Sequence, residues 1–270
     1  MVILAIALKN ALLSHALECN NLNKLILLTI TYVIKMPRMK NQKAREAWIA
    51  EKFLELPSGS SILDVGAGEC AYKKFCGHLD YLSQDIAQYD GTGDGLGLQT
   101  SIWDTTELDF ICDLYDIPED RMFDTVFCSE VLEHVVDPVR AIEKMSRLVK
   151  PNGKIIITAP FNSLTHFSPY HYCTGFSRFF YEFHLSRLGF SIIELTPNGG
   201  FFDMMDQEIG RMPRVRKLYK SGFRGPFTFL FSQILRLNAR FLSSLDGPRM
   251  MRRSSELQNF GWFVIAEKQS

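Results

Sequence analysis

Two glycines flanked by acidic side chains are the first residues of this sequence whose spacing suggests chemistry. Gly66 and Gly68 follow the apolar segment SILDV, Asp64 lies two residues before Gly66, and Glu69 directly follows Gly68. Glycines at the end of a first strand let the backbone approach a ligand closely. Because a phosphate prefers the bare amides of a helix N-terminus, the two carboxylates favour a cationic ligand that carries no phosphate.

The same segment also matches a dinucleotide-binding pattern. GAGECA satisfies G-x-G-x-x-G/A with Ala71 in the last place, although this pattern alone is weakly specific. Asp64 and Glu69 argue against a bound pyrophosphate. An NAD(P)-dependent oxidoreductase nevertheless stays open as the alternative enzyme class.

Candidate groups for proton transfer lie further along the chain. Glu130 and His134 are four residues apart and share a face if the backbone there is helical. They could then act as a base and its orienter on an acceptor hydroxyl, or they could only fix a turn. His166 and His171 lie in the segment 161–184, which holds nine aromatic residues and three histidines in 24 positions. This segment is interpreted as the acceptor pocket, in which each histidine is either a proton acceptor or a packing residue.

Alternating strands and helices must position these groups. Helices are expected over 41–56, 137–149 and 178–188, and GAGECAYKKFC is expected to turn into a helix after the first strand. Such alternation predicts βαβ units and a doubly wound, mostly parallel sheet. The predicted strands, in chain order, are SILDV, YLSQD, LDFICD, FDTVFCS, GKIIITAP, FSIIEL and GWFVIAEK.

Composition and charge restrict the class of protein. The chain has 270 residues, 46% of them hydrophobic and 22% charged, which is typical of a globular protein. Thirty basic and thirty acidic side chains give no net charge, so nucleic acid is not an expected partner. The six cysteines include no CxxC pair, which indicates reduced thiols and a cytoplasmic protein. The spacing of Cys, His and carboxylate residues contains no zinc signature, so no metal is expected.

A basic insertion separates the last two predicted strands. Residues 201–256 hold 11 basic and 5 acidic side chains, whereas residues 1–200 hold 18 basic and 24 acidic ones. Three interpretations stay open: a solvated cover over the sheet edge, an interfacial helix that makes peripheral membrane contact through 209–253, and a positive field that guides an acidic substrate. The apolar residues that recur at helical spacing are Phe227, Leu230, Phe231, Ile234, Phe241, Leu242 and Leu245.

Residues 1–40 form an N-terminal extension of uncertain status. Its two apolar runs, MVILAIAL and LILLTITYVI, are each shorter than the roughly 18 to 20 residues that span a bilayer. An accessory amphipathic helix, or a true start at Met36 or Met39, is favoured over a membrane anchor. A signal peptide is a poor match because no basic stretch precedes the first apolar run.

Several motifs in order resemble the class I SAM-dependent methyltransferases, and within them the type 11 small-molecule group. They are ILDVGAGECA, Asp85 at the end of the second predicted strand, the pair Asp113 and Leu114, and the run FDTVFCSEVLEHVVDPVRAIEKMSRLVKPNGKIIITAP. The resemblance covers about residues 41–200 and the final strand. It implies a Rossmann-like sheet of seven strands in the order 3-2-1-4-5-7-6, with a helical insertion before the last strand and S-adenosyl-L-methionine (SAM) as cofactor.

The resemblance also implies roles for individual residues. Asp85 is expected to accept hydrogen bonds from both ribose hydroxyls, Asp113 to accept one from the adenine amino group, and Asp64 to hold the methionine ammonium through water or the loop. For each of these the alternative is a carboxylate that never meets the ligand. The full expected cofactor set is Asp64, Gly66, Ala67, Gly68, Asp85, Ile86, Asp113, Leu114 and Ser129, and the catalytic candidates are His166, His171, His134 and Glu130.

The function expected from the resemblance is methyl transfer to a small molecule, at oxygen. A glycan or lipid precursor is the preferred acceptor because the pocket segment is rich in His and Tyr, and a quinone-like aromatic acceptor is next. A SAM-binding scaffold without turnover is the non-enzyme alternative. The expected division of the chain is 1–40, a methyltransferase core over 41–200, the insertion over 201–256, and the final strand over 257–270.

Overall fold

The computed structural model describes residues 41–220, 225–248 and 251–270, and of residues 225–227 the backbone alone. The predictions for residues 1–40 and for the side chain of Phe227 lie outside the described residues. The chain divides into two compact units, one containing Lys40–Phe201 and Gly247–Ser270 and the other containing Phe202–Asp246.

In the larger unit the described residues form one seven-stranded sheet in the order β3-β2-β1-β4-β5-β7-β6. All neighbouring strands are parallel except that β7 runs antiparallel to β5 and β6. This order confirms the one that the sequence resemblance implied. The strands are β1 (Ser61–Val65), β2 (Asp80–Asp85), β3 (Phe110–Ile111), β4 (Phe123–Ser129), β5 (Val149–Pro160), β6 (Phe190–Pro197) and β7 (Gly261–Lys268).

Helices cover both faces of this sheet. On one face α1 (Asn41–Leu54) buries Trp48, Ile49 and Phe53, and the Trp48 ring stacks on Phe263 of β7 at 4.8 Å. On the other face lie α2 (Pro138–Leu148) and α3 (Arg178–Arg187). Strand β1 is buried along its whole length. This is expected for a central strand covered on both faces and explains its mostly apolar sequence.

Local sequence sets where α2 begins. The Asp137 side chain accepts a hydrogen bond from the Arg140 amide at 3.0 Å, and Pro138 occupies the first turn. An aspartate cap followed by proline is a strong helix-start signal because it satisfies free amides and fixes φ. Helix α2 in turn holds the segment that follows β4 against the core.

The helix expected directly after β1 is absent, and that prediction was wrong. The segment makes turns and then a 3₁₀ helix at Lys73–Phe75. Gly66, Gly68 and Cys70 have φ values of 72°, 54° and 53°, and left-handed residues interrupt a right-handed helix. The third strand is also shorter than LDFICD. Asp109 accepts from the Ser83 amide at 2.9 Å through its side chain, so strand pairing begins only at Phe110.

The smaller unit contains two helices, α4 (Phe201–Leu218) and α5 (Gly225–Leu245). The first residue of α4, Phe201, is assigned to the larger unit. Asp206 is 5% exposed and binds Arg236 Nε at 2.8 Å and Arg240 Nε at 3.1 Å. These two basic residues are therefore neutralised by an acid rather than contributing to a free basic face. Among the described helices, none combines the length and the apolar character needed to cross a bilayer.

Candidate functional site

A cavity of about 260 Å³ opens where the chain leaves the carboxyl ends of β1, β2 and β4. In open α/β sheets this edge binds ligands where the strand order reverses, and here the order reverses between β1 and β4. The cavity is lined by Gly66, Gln84, Asp85, Ile86, Gln88, Tyr89, Trp103, Asp113, Leu114, Tyr115, Glu130, Val131, His134, Val135, Val136, Phe167, Tyr170 and Tyr172.

The glycine turn after β1 forms the floor of this cavity. The amides of Gly66 and Ala67 both donate to the Gln84 carbonyl, at 2.8 and 2.9 Å. A Cβ on Gly66 would lie 2.3 Å from Val131 Cγ2, and one on Gly68 would lie 2.9 Å from the Trp103 ring. Of the three turn residues predicted to bind cofactor, Gly66 lines the cavity, while Ala67 and Gly68 do not.

Asp85 ends β2 and faces the cavity. Its Oδ2 accepts from the Gly68 amide at 2.9 Å and its Oδ1 accepts from the Ala87 amide at 2.8 Å. Two backbone amides thus fix the carboxylate, and each oxygen keeps a second lone pair for a ligand hydroxyl. Ile86, 40% exposed, lines the cavity beside it.

Asp113 follows β3 and lies on the same side. Its Oδ1 accepts from the Tyr115 amide at 3.0 Å and caps the 3₁₀ helix Leu114–Asp116. Leu114 is 5% exposed and also lines the cavity. Because β2 and β3 are neighbours in the sheet, their order brings Asp85 and Asp113 to one cavity.

Asp64 and Ser129 do not line the cavity. Asp64 is 2% exposed, and its Oδ2 accepts from the Tyr81 hydroxyl at 2.7 Å. Burial raises the pKa of Asp64 to about 7, an effect that the Tyr81 hydrogen bond opposes and the Asp85 charge reinforces. Ser129 Oγ instead lies 2.8 Å from Thr158 Oγ1.

Glu69, the second acid beside the glycines, is also turned away from the cavity. Its carboxylate accepts from the Asp104 amide at 3.1 Å. The expectation that the two acids flanking the glycines present their charge to the ligand is therefore corrected. The carboxylates that line the cavity belong to Asp85, Asp113 and Glu130.

Aromatic rings form one wall. Tyr89 and Phe167 stack at 4.4 Å, and Trp103 meets both rings edge-on at 5.0 and 5.3 Å. Such ring pairs stabilise beyond the area that they bury. The sequence interpretation missed Tyr89 and Trp103 because it treated the glycine-rich stretch between them only as a loop. Large aromatic residues on either side of such a loop were the signal that could have identified them.

Glu130 and His134 both line the cavity but do not share a helical face. Glu130 has φ 58°, and only Leu132–His134 forms a 3₁₀ turn. Glu130 Oε2 pairs with Arg45 Nη1 at 2.6 Å and its Oε1 accepts from the Thr158 hydroxyl at 3.1 Å. Glu130 is therefore held by Arg45 and Thr158 and not by His134. Sequence gave no signal for Arg45, which lies 85 positions earlier.

His134 contacts a second histidine behind the cavity wall. Its Nε2 lies 3.1 Å from His166 Nε2, and its Nδ1 lies 2.5 Å from the Tyr170 carbonyl oxygen. His166 Nδ1 in turn lies 2.9 Å from the Leu164 carbonyl oxygen. His171 packs against the His166 ring at 4.7 Å. Neither His166 nor His171 lines the cavity, so the structure places both behind His134.

Burial and the buried carboxylate of Glu133 set the charge states here. Burial, together with the neighbouring His166 and His171, lowers the pKa of His134 to about 3, although the hydrogen bond to the Tyr170 carbonyl opposes this shift. Burial also lowers the pKa of His166, but its contact with Glu133 outweighs burial and the net pKa is raised. His134 is therefore neutral near pH 7. Glu133 was missed from sequence, although its place beside His134 in SEVLEHV is a visible signal.

Comparison with known proteins agrees with this geometry. Residues 63–157 match the family model described as a methyltransferase domain. The matched segment, about a third of the chain, is similar to this methyltransferase domain. The segment contains most of β1, all of β2 to β4 and most of β5, and with them Asp85, Asp113, Glu130 and His134.

Two curated relatives are similar to the same part of the chain. One is the ubiquinone biosynthesis O-methyltransferase of Coxiella burnetii, 31% identical over 111 residues, which are 37% of this chain and 43% of the relative. The other is an uncharacterized protein of Mycobacterium tuberculosis, 28% identical over 120 residues, 42% of this chain and 40% of the relative. The chain thus spans less than half the length of these two relatives.

Solved structures to which this chain is similar include a SAM dependent methyltransferase from Archaeoglobus fulgidus. It is 16% identical, and the match covers 84% of this chain and 94% of that one with a TM-score of 0.48. A putative sarcosine dimethylglycine methyltransferase from Galdieria sulphuraria is 14% identical, with coverage of 84% and 86% and a TM-score of 0.47.

Proposed function

We propose that this chain is a SAM-dependent methyltransferase that acts on an oxygen atom of a small molecule. The observation that carries the proposal is the pair of carboxylates, Asp85 and Asp113, at the ends of neighbouring strands in a cavity whose floor is Gly66. Residues 63–157, which contain all three, match the methyltransferase domain model.

These residues fit the cofactor. The Asp85 oxygens would accept hydrogen bonds from the two ribose hydroxyls, while the backbone amides of Gly68 and Ala87 keep the carboxylate in place. Asp113 would accept from the adenine amino group, with Leu114 as an apolar wall. A Cβ at Gly66 would collide with Val131, so glycine keeps the floor open. SAM, when bound, supplies the methyl group.

The part of the cavity that would hold the methyl acceptor contains groups that can position a hydroxyl. Glu130 lies at the cavity with its carboxylate fixed by Arg45 and Thr158, and it would accept the hydrogen bond of the acceptor hydroxyl. Because methyl transfer from a sulfonium is an in-line displacement, orientation of that hydroxyl supplies much of the rate. His134 is neutral near pH 7 and lines the cavity as a polar group.

A hydroxylated aromatic ring is the acceptor class that the cavity supports best. The stacked rings of Tyr89 and Phe167, the edge of Trp103, and the lining residues Tyr170 and Tyr172 match a flat ligand. The similarity to a ubiquinone biosynthesis O-methyltransferase points to the same class. A glycan or lipid precursor, preferred from sequence, is the competing class.

Calorimetric titration and a transfer assay test the proposal. We expect SAM to bind and NAD not to bind; binding of NAD alone would establish the oxidoreductase alternative. With SAM labelled in its methyl group, a panel of catechols, hydroxybenzoates, sugars and glycerolipids should give labelled product with the aromatic hydroxyls. SAM binding with no product over the whole panel would indicate a scaffold.

The membrane interpretation of residues 209–253 stays a prediction. The structure supports it through exposed apolar residues of α5, while the pairing of Arg236 and Arg240 with Asp206 reduces the positive charge available to anionic lipid. Flotation with anionic vesicles at low and moderate salt tests it. The exposed apolar residues are Phe229, Leu230, Phe231 and Ile234.

A further inference from the structure

Three histidines meet behind the cavity wall although they are far apart in sequence. His134 follows β4, and His166 and His171 follow β5, the next strand in the sheet. One ring nitrogen from each can be chosen so that all three lie within 4.8 Å of one another. The sheet order therefore creates a nitrogen cluster that no local motif encodes.

Hydrogen bonds determine which nitrogens carry lone pairs. The Nδ1 atoms of His134 and His166 lie 2.5 and 2.9 Å from the carbonyl oxygens of Tyr170 and Leu164. A carbonyl oxygen only accepts, so both Nδ1 atoms must carry the proton. In the neutral rings both Nε2 atoms then present lone pairs, and these atoms lie 3.1 Å apart. Two facing lone pairs repel each other unless a proton or a metal cation lies between them.

A buried carboxylate completes the cluster. Glu133 is fully buried, and within the described part of the chain neither of its side-chain oxygens has a hydrogen-bond partner. Its Oε1 lies 3.7 Å from the Nε2 atoms of both His134 and His166. A buried carboxylate without hydrogen bonds is costly unless a cation compensates it. His171 adds a buried Nδ1 that likewise lacks a partner among the described residues.

We propose that His134, His166, His171 and Glu133 bind one divalent transition-metal cation. In a tetrahedral zinc site with bonds of about 2.0–2.1 Å, neighbouring ligand atoms are about 3.3 Å apart. The distances here are 3.1 Å between the Nε2 atoms and 3.7 Å from each of them to Glu133 Oε1, close to that value, and the cluster of three histidine nitrogens spans at most 4.8 Å, so His171 would close in when the cation binds. Nδ1–H groups that donate to backbone carbonyls are the usual outer partners of zinc-bound histidines.

The ligand set selects the kind of metal. Imidazole nitrogens suit Zn²⁺, Co²⁺ and Fe²⁺, whereas Mg²⁺ and Ca²⁺ require mostly oxygen ligands. Three histidines and one carboxylate therefore favour a zinc-like cation. His134 is the member that reaches the cavity, so the bound cation would stabilise the wall against which a ligand binds. This site does not depend on the proposed methyl transfer, because its occupancy is measured directly.

Cobalt titration of the untagged full chain tests the site. After treatment with a chelator, the protein should bind one equivalent of Co²⁺ with visible ligand-field bands, and Zn²⁺ should displace it. Replacing one ligand, in His166→Ala, His171→Ala or Glu133→Gln, should weaken binding by at least the roughly 10- to 100-fold that loss of an outer partner causes. His184→Ala, in α3 and outside the cluster, is the control and should bind as the parent does.

Several results would overturn the proposal. Absence of Co²⁺ and Zn²⁺ binding at micromolar concentration would show that a proton alone occupies the space between the two Nε2 atoms. Binding retained by the double variant His166→Ala/His171→Ala would place the metal elsewhere, and a preference for Mg²⁺ would contradict the nitrogen ligands. Circular dichroism verifies that each variant folds. If the variants at the more buried ligands fail to fold, His171→Ala, at the edge of the cluster, still tests the site.

Discussion

Single residues decide whether the cavity can exist, and Gly66 is the clearest case. It combines a φ of 72° with a position where a Cβ would lie 2.3 Å from Val131. The Gly66→Ala change should cost about 1–2 kcal/mol for the left-handed backbone and about 1–3 kcal/mol for overpacking. Denaturant unfolding measures the sum. Adding Val131→Ala should recover only the overpacking part, so full recovery would contradict the backbone contribution.

Asp64 should make the protein less stable as pH rises. Its pKa is about 7 in the folded chain, compared with 3.8 for an ordinary aspartate, because it is buried. The folded state therefore holds a proton that the unfolded state has released between these values. The stability associated with the protonated carboxyl is complete below about pH 4 and is lost as pH rises through about 7, by roughly 4 kcal/mol at most.

Asp64→Asn isolates this effect because the amide does not titrate. Unfolding by urea at a series of pH values from 4 to 8 should show that the parent loses stability with pH relative to the variant. A constant difference between the two proteins across that range would show that Asp64 is ionised throughout.

At the scale of elements, strands were predicted from sequence better than turns. SILDV, FDTVFCS and GWFVIAEK form strands with the predicted bounds because apolar runs bounded by turn residues identify buried strands. The helix after β1 was wrong because Cys70 adopts a left-handed conformation, which a non-glycine residue rarely does. The strand LDFICD was too long because Asp109 substitutes its side chain for the backbone, a long-range contact invisible in a local pattern.

The bond between Arg45 and Glu130 connects α1 to the end of β4. Arg45→Met should cost about 1.5–3 kcal/mol, the usual range for a hydrogen bond to a charged group. The double variant Arg45→Met/Glu130→Gln should lose less than the sum of the single changes, because each change alone leaves one charge without its partner. Thermal unfolding of all four proteins gives the coupling, and strict additivity would mean that the pair contributes nothing.

At the scale of the whole molecule, the order of the strands in the sheet brings together side chains that are far apart in the sequence. The histidines at 134, 166 and 171 and the carboxylates of Asp85 and Asp113 come from strand ends that are neighbours only in the folded sheet. The cavity residues predicted from the family resemblance are those close to its motifs. Arg45, Tyr89 and Trp103 approach the site through tertiary packing and carry no motif of their own.

Ligand binding should stabilise the larger unit, since the cavity lies wholly within it. SAM at a hundred times its Kd would add about 2.7 kcal/mol, which corresponds to roughly 5–10 °C in Tm for a unit of this size. Asp85→Asn should abolish most of the shift, because the NH₂ group that replaces one carboxylate oxygen can accept a hydrogen bond from neither a backbone amide nor a ribose hydroxyl. Differential scanning calorimetry measures this shift, and an equal shift with NAD would contradict the assignment of the cavity to SAM.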